Sequence, residues 1–460
     1  MKNKILIIIN SELYVRNYLN TKIFKNLQND FNVSYLANYK IKNKSYLRKL
    51  KNFLGFFKIS EKQSIKENRI RNVLMWRYKY LSKSFIYRIK WFSEVKFYEL
   101  LDNKSLNELK KKIKRSISVL KFNLYIRVFG SNLIFPFYKL LYIEKEKVNL
   151  SLKKKILNLN PDLIIFPTAS QSKVDNDILK ICKLRKIKTL YLIDNWDNLS
   201  DKSIMLDKPD HITVWGQQSK KHAIKIQKIN SNSITNIGTP RFELYFNNRQ
   251  KVLKSHFKFK YILFLGTALE FDEFKIISKI DQILNRRPFS NNKLKLVYRP
   301  HPWRMSKNII NLKKYNNIIL DPQISKNYYK AKQDLSFQPD LNYYPNLIKN
   351  SEFVIGGLTS MMIESLIMYK KYLITAFPEK NFNNQFNSLN FHTHFKELKK
   401  VKNIIINTSI DELEKKMLFM WRNKLVKKKS LADIQRNYFV YNDNFSFADR
   451  LSKLVSKQLQ

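Results

Sequence analysis

Short runs of consecutive apolar residues alternate along the chain with longer stretches in which apolar residues recur at helical spacing. Uninterrupted apolar runs are typical of strands buried on both faces of a parallel sheet, and the intervening stretches are long enough for the connecting helices. The runs are KILIII, FNVSYL, DLIIFP, KTLYLID, HITVWG and SITNIG, followed after residue 250 by YILFLG, LKLVYRP, NIILD, FVIGG and YLITAF. The pattern predicts an α/β protein with two Rossmann-like, doubly wound domains facing a cleft.

The break between the two series of strands gives the domain boundaries. The stretch GTPRFELYFNNRQKVL separates the series and is interpreted as a turn and a linker. We therefore predict an N-terminal domain over residues 1–245 and a C-terminal domain over 246–430, followed by a C-terminal helix over 431–460. Ligands of such sheets bind beyond the carboxyl ends of the strands, so the residues that follow each strand are the candidates for function.

Residues 41–150 depart from this rhythm and predict a basic helical insertion in the N-terminal domain. They contain 27 Lys and Arg against 8 Asp and Glu, with 20 aromatic residues interleaved. Basic and aromatic residues at helical spacing suit a helix lying on an anionic membrane surface. They also suit an RNA-binding surface, where aromatic rings stack on bases, or an ordinary insertion whose aromatic residues are core.

Composition bounds the partners and the compartment. The formal net charge of +51 favours polyanionic partners, although a chain rich in Lys, Asn, Ile and Phe also reflects an AT-rich genome. The one cysteine, Cys182, makes no intramolecular disulfide and no cysteine metal site, and it is expected to pack in a helix. The most apolar long window carries Arg127 and Lys139, and the N-terminal apolar run is too short for a signal peptide. We expect a cytoplasmic protein that is soluble or peripheral.

The stretch KLKLVYRPHPWRM, residues 293–305, ends a predicted strand with an unusual turn. His301 stands between Pro300 and Pro302, which exclude helical backbone, and it is flanked by Arg299 and Arg304. An imidazole fixed in a positively charged patch at the carboxyl end of a strand suits the binding of a phosphate. A structural histidine in a proline-rich strand exit is the alternative.

The stretch FVIGGLTSMMIESLIMYKKYLITAF, residues 353–377, predicts a strand, a glycine pair, a helix and a second strand. The chain has only 7 glycines, so a pair at one strand end is informative. Glycine permits close backbone approach, and the start of a helix offers free N–H groups to a phosphate. A carboxylate one turn into the helix could accept hydrogen bonds from ribose or sugar hydroxyls, and the alternative is a capped helix with an exposed glutamate. The candidate nucleotide-binding residues here are Gly356, Gly357, Thr359, Ser360 and Glu364.

Three carboxylates follow predicted strands of the N-terminal domain and could act as a general base on an acceptor hydroxyl. Asp194 and Asp197 follow KTLYLID, and Glu12 follows the first strand. The Asp-x-x-Asp spacing differs from the Asp-x-Asp of metal-dependent transferases, so we expect no metal site. The alternatives are a turn in which Asp197 or the next residue caps a helix, and an exposed pair of Glu12 with Arg16 one helical turn away.

An RPHP strand end followed by GGLTSMMIES resembles the donor-binding domain of GT-B glycosyltransferases. The pattern is similar to bacterial transferases with CMP- or CDP-activated donors, among them Kdo- and sialyltransferases of capsule synthesis and CDP-glycerol glycerophosphotransferases. The resemblance implies that His301 and Thr359–Ser360 hold the phosphates of the nucleotide. The stretch VWGQQSKKHAIKIQKINSNSITNIGTPRFELY is similar to the end of their acceptor domains. The acidic motif of sialyltransferases is absent, and UDP-sugar 2-epimerases share much of the same frame.

The resemblance implies a glycosyltransferase of cell-surface polysaccharide synthesis at the inner face of the cytoplasmic membrane. It would transfer a sugar or a glycerol-phosphate unit from a CMP-, CDP- or UDP-linked donor to a glycan or lipid-linked acceptor. It would need no cofactor besides that donor and no nucleic acid. A UDP-sugar 2-epimerase and a non-enzymatic RNA- or membrane-binding protein are the alternatives. The sequence leaves open the donor sugar, the acceptor, the stereochemical course and the oligomeric state.

Overall fold

The computed structural model describes residues 2–41, 44–59, 124–144, 147–169, 172–201, 207–269, 271–301, 314–324, 343–379, 384–423 and 429–460, together with the short pieces 70, 72–74, 76–77, 113, 117, 120–122, 205 and 312. The chain forms two compact units. The first contains residues 1–238 and 443–460, and the second contains residues 239–442. Each is built on a parallel sheet, so the predicted α/β class with two Rossmann-like domains is confirmed.

Seven described strands form the sheet of the first unit in the order β3-β2-β1-β4-β5-β6-β7, all parallel. Ile5, Ile7 and Ile9 of β1 belong to one core cluster and Leu6 and Ile8 to another. Because helices cover both faces, the strand is apolar at successive positions. The strands are β1 (Lys4–Ile9), β2 (Asn32–Asn38), β3 (Phe53–Phe57), β4 (Leu163–Thr168), β5 (Lys188–Ile193), β6 (His211–Val214) and β7 (Ile234–Asn236).

Six described strands form the sheet of the second unit in the order β10-β9-β8-β11-β12-β13, also all parallel. The central strands are almost completely buried and pack against the apolar faces of the flanking helices. The strands are β8 (Tyr261–Leu265), β9 (Lys295–Arg299), β10 (Ile318–Leu320), β11 (Val354–Gly356), β12 (Tyr372–Thr375) and β13 (Ile404–Asn407).

The helices begin where the sequence offers side-chain caps. Asn149, Ser172, Asp272 and Ser446 each accept a hydrogen bond from a backbone N–H in the first turn. Among the described residues, no helix combines the length and the hydropathy that a membrane span requires. The helices are α1 (Glu12–Tyr14), α2 (Leu27–Asp30), α3 (Lys44–Arg48), α4 (Phe135–Tyr138), α5 (Leu150–Leu159), α6 (Lys173–Arg185), α7 (Asn198–Asp201), α8 (Gln217–Lys225), α9 (Glu243–Asn248), α10 (Glu273–Leu284), α11 (Tyr343–Asn350), α12 (Met361–Ile367), α13 (Gln385–Phe391), α14 (Thr393–Lys396), α15 (Leu413–Arg422), α16 (Lys429–Phe439) and α17 (Phe447–Leu459).

The predicted helical insertion over 41–150 is wrong at its beginning. Residues 44–59 contain α3 and the edge strand β3, which pairs in parallel with β2. Phe57 is fully buried in the core of the first unit, so this part of the basic stretch belongs to the sheet. The described residues between 124 and 144 are largely helical. Most of the segment from 60 to 123 lies outside the described residues.

The end of the chain also differs from the prediction. The sequence predicts a single helix over 431–460, but the structure has two. Helix α16 ends at Phe439 in the second unit, whereas α17 belongs to the first unit. The reason is packing, because Phe447, Leu451 and Val455 of α17 join the core cluster that contains one face of β1. The change of unit falls between Gly238 and Thr239, seven residues before the predicted boundary at 245.

Candidate functional site

The strand order of the second unit places its switch point between β8 and β11. From β8 the chain winds outward to β9 and β10, then returns to β11 and winds outward in the other direction. In doubly wound sheets the loops leaving two such strands separate to opposite faces and open a crevice where ligands bind. In this unit those loops follow Leu265 and Gly356, and the loop after β9 is their neighbour.

His301 lies where the sequence predicted it, just beyond the carboxyl end of β9. The residue is half-buried. A Cβ atom added to Gly266 would lie 2.9 Å from the backbone nitrogen of His301, so the loops after β8 and β9 are in direct contact. The imidazole therefore belongs to the same edge of the sheet as the switch point. Arg304 and Pro302 lie outside the described residues.

Arg299, which the sequence predicts to flank His301 in a positively charged, phosphate-binding patch, has a buried side chain. Its Nε and Nη2 atoms donate hydrogen bonds of 3.2 and 3.1 Å to the hydroxyl of Tyr344, and the guanidinium lies 4.8 Å from the centre of that ring. Burial acts to lower the pKa of Arg299, but Tyr344, Asp321 and Glu364 outweigh it and raise that pKa. Arg299 thus holds α11 against β9 as a permanent cation.

The glycine pair is explained by packing within the protein. A Cβ atom on Gly356 would lie 2.3 Å from the carbonyl oxygen of Leu265 and 2.6 Å from the hydroxyl of Tyr372. A Cβ atom on Gly357 would lie 2.9 Å from the Oε1 atom of Gln385. The backbone contact at Gly356 therefore requires glycine before any ligand is considered, whereas at Gly357 a Cβ atom would press on the ends of the Gln385 and Thr267 side chains. The pair lies at the switch point, but close approach by a phosphate is not needed to account for it.

Thr359 and Ser360 begin α12, and their hydroxyls have different partners. Thr359 Oγ1 accepts a hydrogen bond of 3.4 Å from the backbone N–H of Met361. Ser360 makes no side-chain cap, and its hydroxyl accepts a hydrogen bond of 3.2 Å from Nη2 of Arg241. Of the two hydroxyls, that of Thr359 therefore accepts from the first turn of the helix. Ser360 instead places a guanidinium at the first turn of the helix.

Glu364 is buried, which excludes the interpretation as an exposed glutamate on a capped helix. Its Oε2 atom accepts a hydrogen bond of 2.5 Å from the hydroxyl of Tyr245, and its Oε1 atom lies 3.8 Å from Nη2 of Arg241. Burial and the neighbouring carboxylate raise the pKa of Tyr245 well above its usual range, so its hydroxyl stays protonated and donates. Arg241 thus connects the carboxylate of Glu364 to the hydroxyl of Ser360.

Arg241 and Tyr245 are the site residues that the sequence prediction missed. Both lie in the stretch interpreted as a linker, which instead forms a 3-10 turn, Pro240–Phe242, and helix α9. The available signal was the Thr-Pro-Arg turn, since proline at the start of a helical segment fixes the direction of the side chains that follow. Nothing in the sequence indicated that these side chains contact α12.

The first unit repeats the same topology, with its switch point between β1 and β4. Ser11 caps α1, accepting a hydrogen bond of 3.2 Å from the N–H of Leu13, and Glu12 is the first residue of that helix. Glu12 is half-buried. The backbone N–H of Ala169, which follows β4, donates a hydrogen bond of 2.9 Å to the hydroxyl of Tyr14. The loop that carries Glu12 is therefore joined to the loop on the other side of the switch point.

Asp194 lies at the carboxyl end of β5 and is buried. Its Oδ1 atom accepts a hydrogen bond of 2.9 Å from Nδ2 of Asn17, whose own oxygen accepts one of 2.9 Å from Nε of Arg16. Nδ2 of Asn195 lies 3.3 Å from Oδ2. Burial raises the pKa of Tyr14 well above its usual range, with a further contribution from Asp194. Asp194 therefore holds the helical segment after β1 in place.

Asp197 occupies the turn between β5 and α7 and is half-buried. Its carbonyl oxygen accepts hydrogen bonds from the N–H groups of Ser200 and Asp201, at 3.2 and 2.9 Å. The side-chain oxygen of Asn198 accepts a hydrogen bond of 2.8 Å from the N–H of Asn195. These contacts support the interpretation of this segment as a turn that leads into a helix.

Comparison with known proteins identifies the fold. The structure is similar to S. aureus MnaA solved with UDP, with a TM-score of 0.50 and 11% identity over 100% of this chain and 97% of that one. It is also similar to UDP-GlcNAc 2-epimerase from Neisseria meningitidis bound to UDP-GlcNAc, with a TM-score of 0.50 and 10% identity over 99% of each chain. The wall teichoic acid polymerase TagF is similar at a TM-score of 0.48 and 12% identity, over 100% of this chain and 89% of that one.

No protein-family model matches the chain, and no curated protein matches it by sequence. At 10 and 11% identity, the likeness to the first two of these structures shows the fold alone. That fold is α/β, with two parallel-sheet Rossmann-like domains of the GT-B type.

Proposed function

We propose that this protein is a glycosyltransferase of cell-surface polysaccharide synthesis that uses a nucleotide-activated donor. The main support for the proposal is that, in both units, polar side chains suited to binding or catalysis lie at the switch point of the sheet. In the second unit, His301 and the segment 357–360 lie around the β8–β11 switch point. In the first unit, Glu12 lies at the β1–β4 switch point. Doubly wound sheets bind their ligands at these points.

In the proposed reaction the second unit binds the donor. Departure of the nucleotide leaves negative charge on its phosphate, and preorganised donors aimed at that charge stabilise the transition state. His301 and the hydroxyl of Ser360 would contact the phosphate. Arg241 is held 3.2 Å from that hydroxyl and would add a positive charge beside it. Arg299 is assigned no contact with the donor, because it is buried against Tyr344.

The first unit would bind the acceptor and supply the base. An acceptor hydroxyl attacks the donor carbon, or the phosphorus of a glycerol-phosphate donor, while the bond to the nucleotide oxygen breaks. The hydroxyl proton passes to a carboxylate, and the nucleotide leaves with its phosphate. Of the three candidates, Glu12 is half-buried at the switch point, whereas Asp194 is buried and bonded to Asn17. We assign the base to Glu12 and keep Asp197 as its competitor.

A UDP-sugar 2-epimerase is the second candidate, because two similarly folded structures were solved with UDP or UDP-GlcNAc. The two proposals share a nucleotide site in the second unit and differ in the need for an acceptor. An epimerase converts UDP-GlcNAc in the absence of any acceptor, whereas a transferase does not isomerise the sugar.

Thermal unfolding with CMP, CDP, UDP and GDP, each in excess, tests the shared part. A ligand that binds only the folded state must raise the Tm, by an amount that grows with its concentration over Kd. We expect a Tm increase with one of the pyrimidine nucleotides and a smaller one with GDP. No increase with any of the four would refute both enzymatic proposals.

Substrate turnover then separates the two enzymes. Incubation with UDP-GlcNAc alone, followed by NMR of the sugar, should show no epimer if the transferase proposal holds. Glu12→Gln should abolish transfer and leave the nucleotide Kd unchanged, with Asp197→Asn as the matched control. Loss of turnover with Asp197→Asn and not with Glu12→Gln would move the base to Asp197.

A non-enzymatic RNA-binding protein remains the alternative suggested by the net charge of +51. Non-specific binding to RNA falls steeply with salt because phosphate contacts release counterions. We expect random RNA to dissociate by physiological salt. Tight RNA binding at physiological salt, together with no Tm response to any nucleotide, would favour this alternative.

We further propose that the described segment 124–141, in which two helical stretches are joined by a turn over 130–134, contacts an anionic membrane surface. Its side chains Leu133 and Phe137 are 84 and 68% exposed, while Tyr138 faces inward and is buried. Arg127 and Lys139 lie in the same segment and would attract anionic headgroups. An apolar face with flanking basic residues suits the interface of a bilayer.

Vesicle sedimentation tests this contact. The double variant Leu133→Gln, Phe137→Gln should weaken binding to phosphatidylglycerol vesicles by about tenfold or more, because each side chain loses part of its transfer energy. Val252 is fully exposed in the second unit, so Val252→Gln is the matched control and should bind as the wild type does. Equal sedimentation of both variants would refute the membrane contact.

A further inference from the structure

Gln385 joins two loops that lie on opposite sides of the switch point in the second unit. It is the first residue of α13 and is 1% exposed. Its Oε1 atom accepts a hydrogen bond of 2.7 Å from the backbone N–H of Leu358, in the loop after β11. Its Nε2 atom donates to Oγ1 of Thr267, at 2.9 Å, and to the carbonyl of Leu269, at 3.1 Å, in the loop after β8. One buried amide thus spans both loops.

The partners of Gln385 require a neutral amide in one orientation. The N–H of Leu358 needs an acceptor and the carbonyl of Leu269 needs a donor, so the oxygen and nitrogen cannot exchange places. The hydroxyl of Thr267 donates to the same carbonyl, at 2.8 Å, and therefore accepts from Gln385. A glutamate would bring a second acceptor to the carbonyl of Leu269.

The peptide unit between Gly357 and Leu358 is fixed at both ends. Its carbonyl oxygen accepts a hydrogen bond of 2.8 Å from the hydroxyl of Tyr372, and its N–H donates to Gln385. The absence of a side chain at Gly357 makes room for this amide, because a Cβ atom there would lie 2.9 Å from Oε1 of Gln385. A peptide plane held on both sides sets the direction of the backbone that leads to Ser360.

The loop after β8 is held as firmly. The backbone N–H of Thr267 donates a hydrogen bond of 3.3 Å to Oε1 of Glu273, and Oε2 of that carboxylate accepts one of 2.5 Å from the hydroxyl of Tyr298. Gly266 packs against the backbone nitrogen of His301. A displacement of the loop after β8 would therefore be transmitted to His301, and Gln385 sets its distance from the loop after β11.

We propose that Gln385 is a positioning residue for the phosphate-binding segments of the donor site. It presets the separation of the loops that carry Ser360 and His301, so that both reach one phosphate group without rearrangement. The inference rests on the proposed function, because a donor phosphate is what the two loops would share. Preorganised groups avoid the cost of ordering at the moment of binding, and misplacement of about 1 Å can cost about a hundredfold in rate.

Gln385→Leu tests the proposal by removing all three hydrogen bonds at nearly constant volume. We expect the Kd of the nucleotide that stabilises the wild type to rise about tenfold or more, and the KM for its activated donor to rise with it. Gln385→Glu retains an acceptor for Leu358 and should give an intermediate Kd. The matched control is Asn384→Ala, which removes the cap of the same helix, where Asn384 accepts a hydrogen bond of 2.8 Å from Asn387. It should lower the Tm but leave the nucleotide Kd unchanged.

The outcomes separate the two levels of inference. A wild type whose Tm responds to no nucleotide refutes the proposed function itself. A wild type that responds, with Gln385→Leu binding the nucleotide equally well, refutes the positioning role alone. A rise in Kd of equal size in Asn384→Ala also refutes it, because the effect would then follow helix stability. If Gln385→Leu does not fold, the nucleotide Kd of Gln385→Glu is compared with that of Asn384→Ala. A Kd that rises in Gln385→Glu alone supports the positioning role, and any other result refutes it.

Discussion

Removal of the Tyr245 hydroxyl is the sharpest test of the contacts around α12. Tyr245→Phe leaves the ring in place and deprives Glu364 of a donor that lies 2.5 Å from its Oε2 atom. Tyr245 is 1% exposed, so water cannot easily replace the hydroxyl. A hydrogen bond to a charged group contributes about 1.5–3 kcal/mol, and we expect a loss of about 2 kcal/mol in the free energy of unfolding.

Glu364→Gln tests the ionic half of the same cluster. The carboxylate lies 3.8 Å from Arg241, and both side chains are largely buried, at 7 and 11% exposure. The attraction is about 4 kcal/mol at an effective dielectric constant of about 20, and the cost of desolvating both groups offsets part of it. We expect a net loss of about 2 kcal/mol. In this background Tyr245→Phe should cost only about 1 kcal/mol, because the hydrogen bond is then between neutral groups.

Differential scanning calorimetry measures these effects. For a unit of about 150–250 residues, 1 kcal/mol corresponds to about 2–4 °C, so each single variant should lower the Tm of the second unit by about 4–8 °C. The double variant should lower it by less than the sum, with a coupling of about 1 kcal/mol. Tyr438→Phe is the control, because Tyr438 donates to Glu397 from a half-buried position and its loss should cost less.

Two results would refute this reasoning. A change in Tm below about 1 °C for Tyr245→Phe would mean that the hydroxyl does not bond to Glu364 in solution. Strict additivity of the two variants would mean that the residues are energetically independent despite their proximity.

Three further predictions concern single residues. His301→Ala should reduce the rate of transfer by about a hundredfold or more, as loss of one transition-state hydrogen-bond donor does. The Tm should change little, because the residue is half-buried in a proline-bounded turn. A variant that fails to fold would instead identify a structural histidine. Burial, with Lys457 and Lys220, lowers the pKa of His211 in the folded state. The neutral imidazole therefore contributes stability above about pH 6.5, and this contribution is lost as the pH falls through the folded pKa. Calorimetry from about pH 7.5 to about pH 5 should show the decline in Tm, and His211→Gln should make it smaller. Burial raises the pKa of the Cys182 thiol to about 12, so iodoacetamide at about pH 8 should label the native protein slowly and the urea-unfolded chain fast; rapid native labelling, read by mass spectrometry, would contradict the burial of α6.

Most strands of the two sheets could be predicted from the sequence because they are apolar on both faces, although β13 was not among the predicted runs. A run such as KILIII does not alternate between apolar and polar residues, which indicates a strand buried on both faces. Its side chains accordingly belong to two core clusters. Strand β3 was missed for the opposite reason. Its sequence FLGFF contains a glycine with φ of 94° and lies among lysines and aromatic residues, so it resembles the helical stretch that follows. Its pairing with β2 includes a shift in register between Tyr35 and Ala37.

The positions of the candidate site residues could be predicted, but not their partners. His301, Gly357 and Ser360 follow strands, and parallel strands bring their carboxyl ends to one edge whatever the helices do. The environment of Arg299 could not be predicted in this way. Its partner Tyr344 lies 45 positions along the chain, on a helix whose placement depends on packing.

The glycine pair located the candidate site correctly, although the reason given for it, close approach by a phosphate, was incomplete. Scarcity of glycine in a chain with only 7 marks a place where a side chain would clash, but it does not say with what. At Gly356 the clash is with Leu265 of the neighbouring strand, and at Gly357 it is with the amide of Gln385. Both contacts join elements that are distant in sequence, and both lie at the switch point. A glycine at such a point therefore indicates where the candidate site lies, even when its own role is to let the surrounding loops pack. The next candidates for function are the residues that fill the space it leaves, Gln385 and Tyr372.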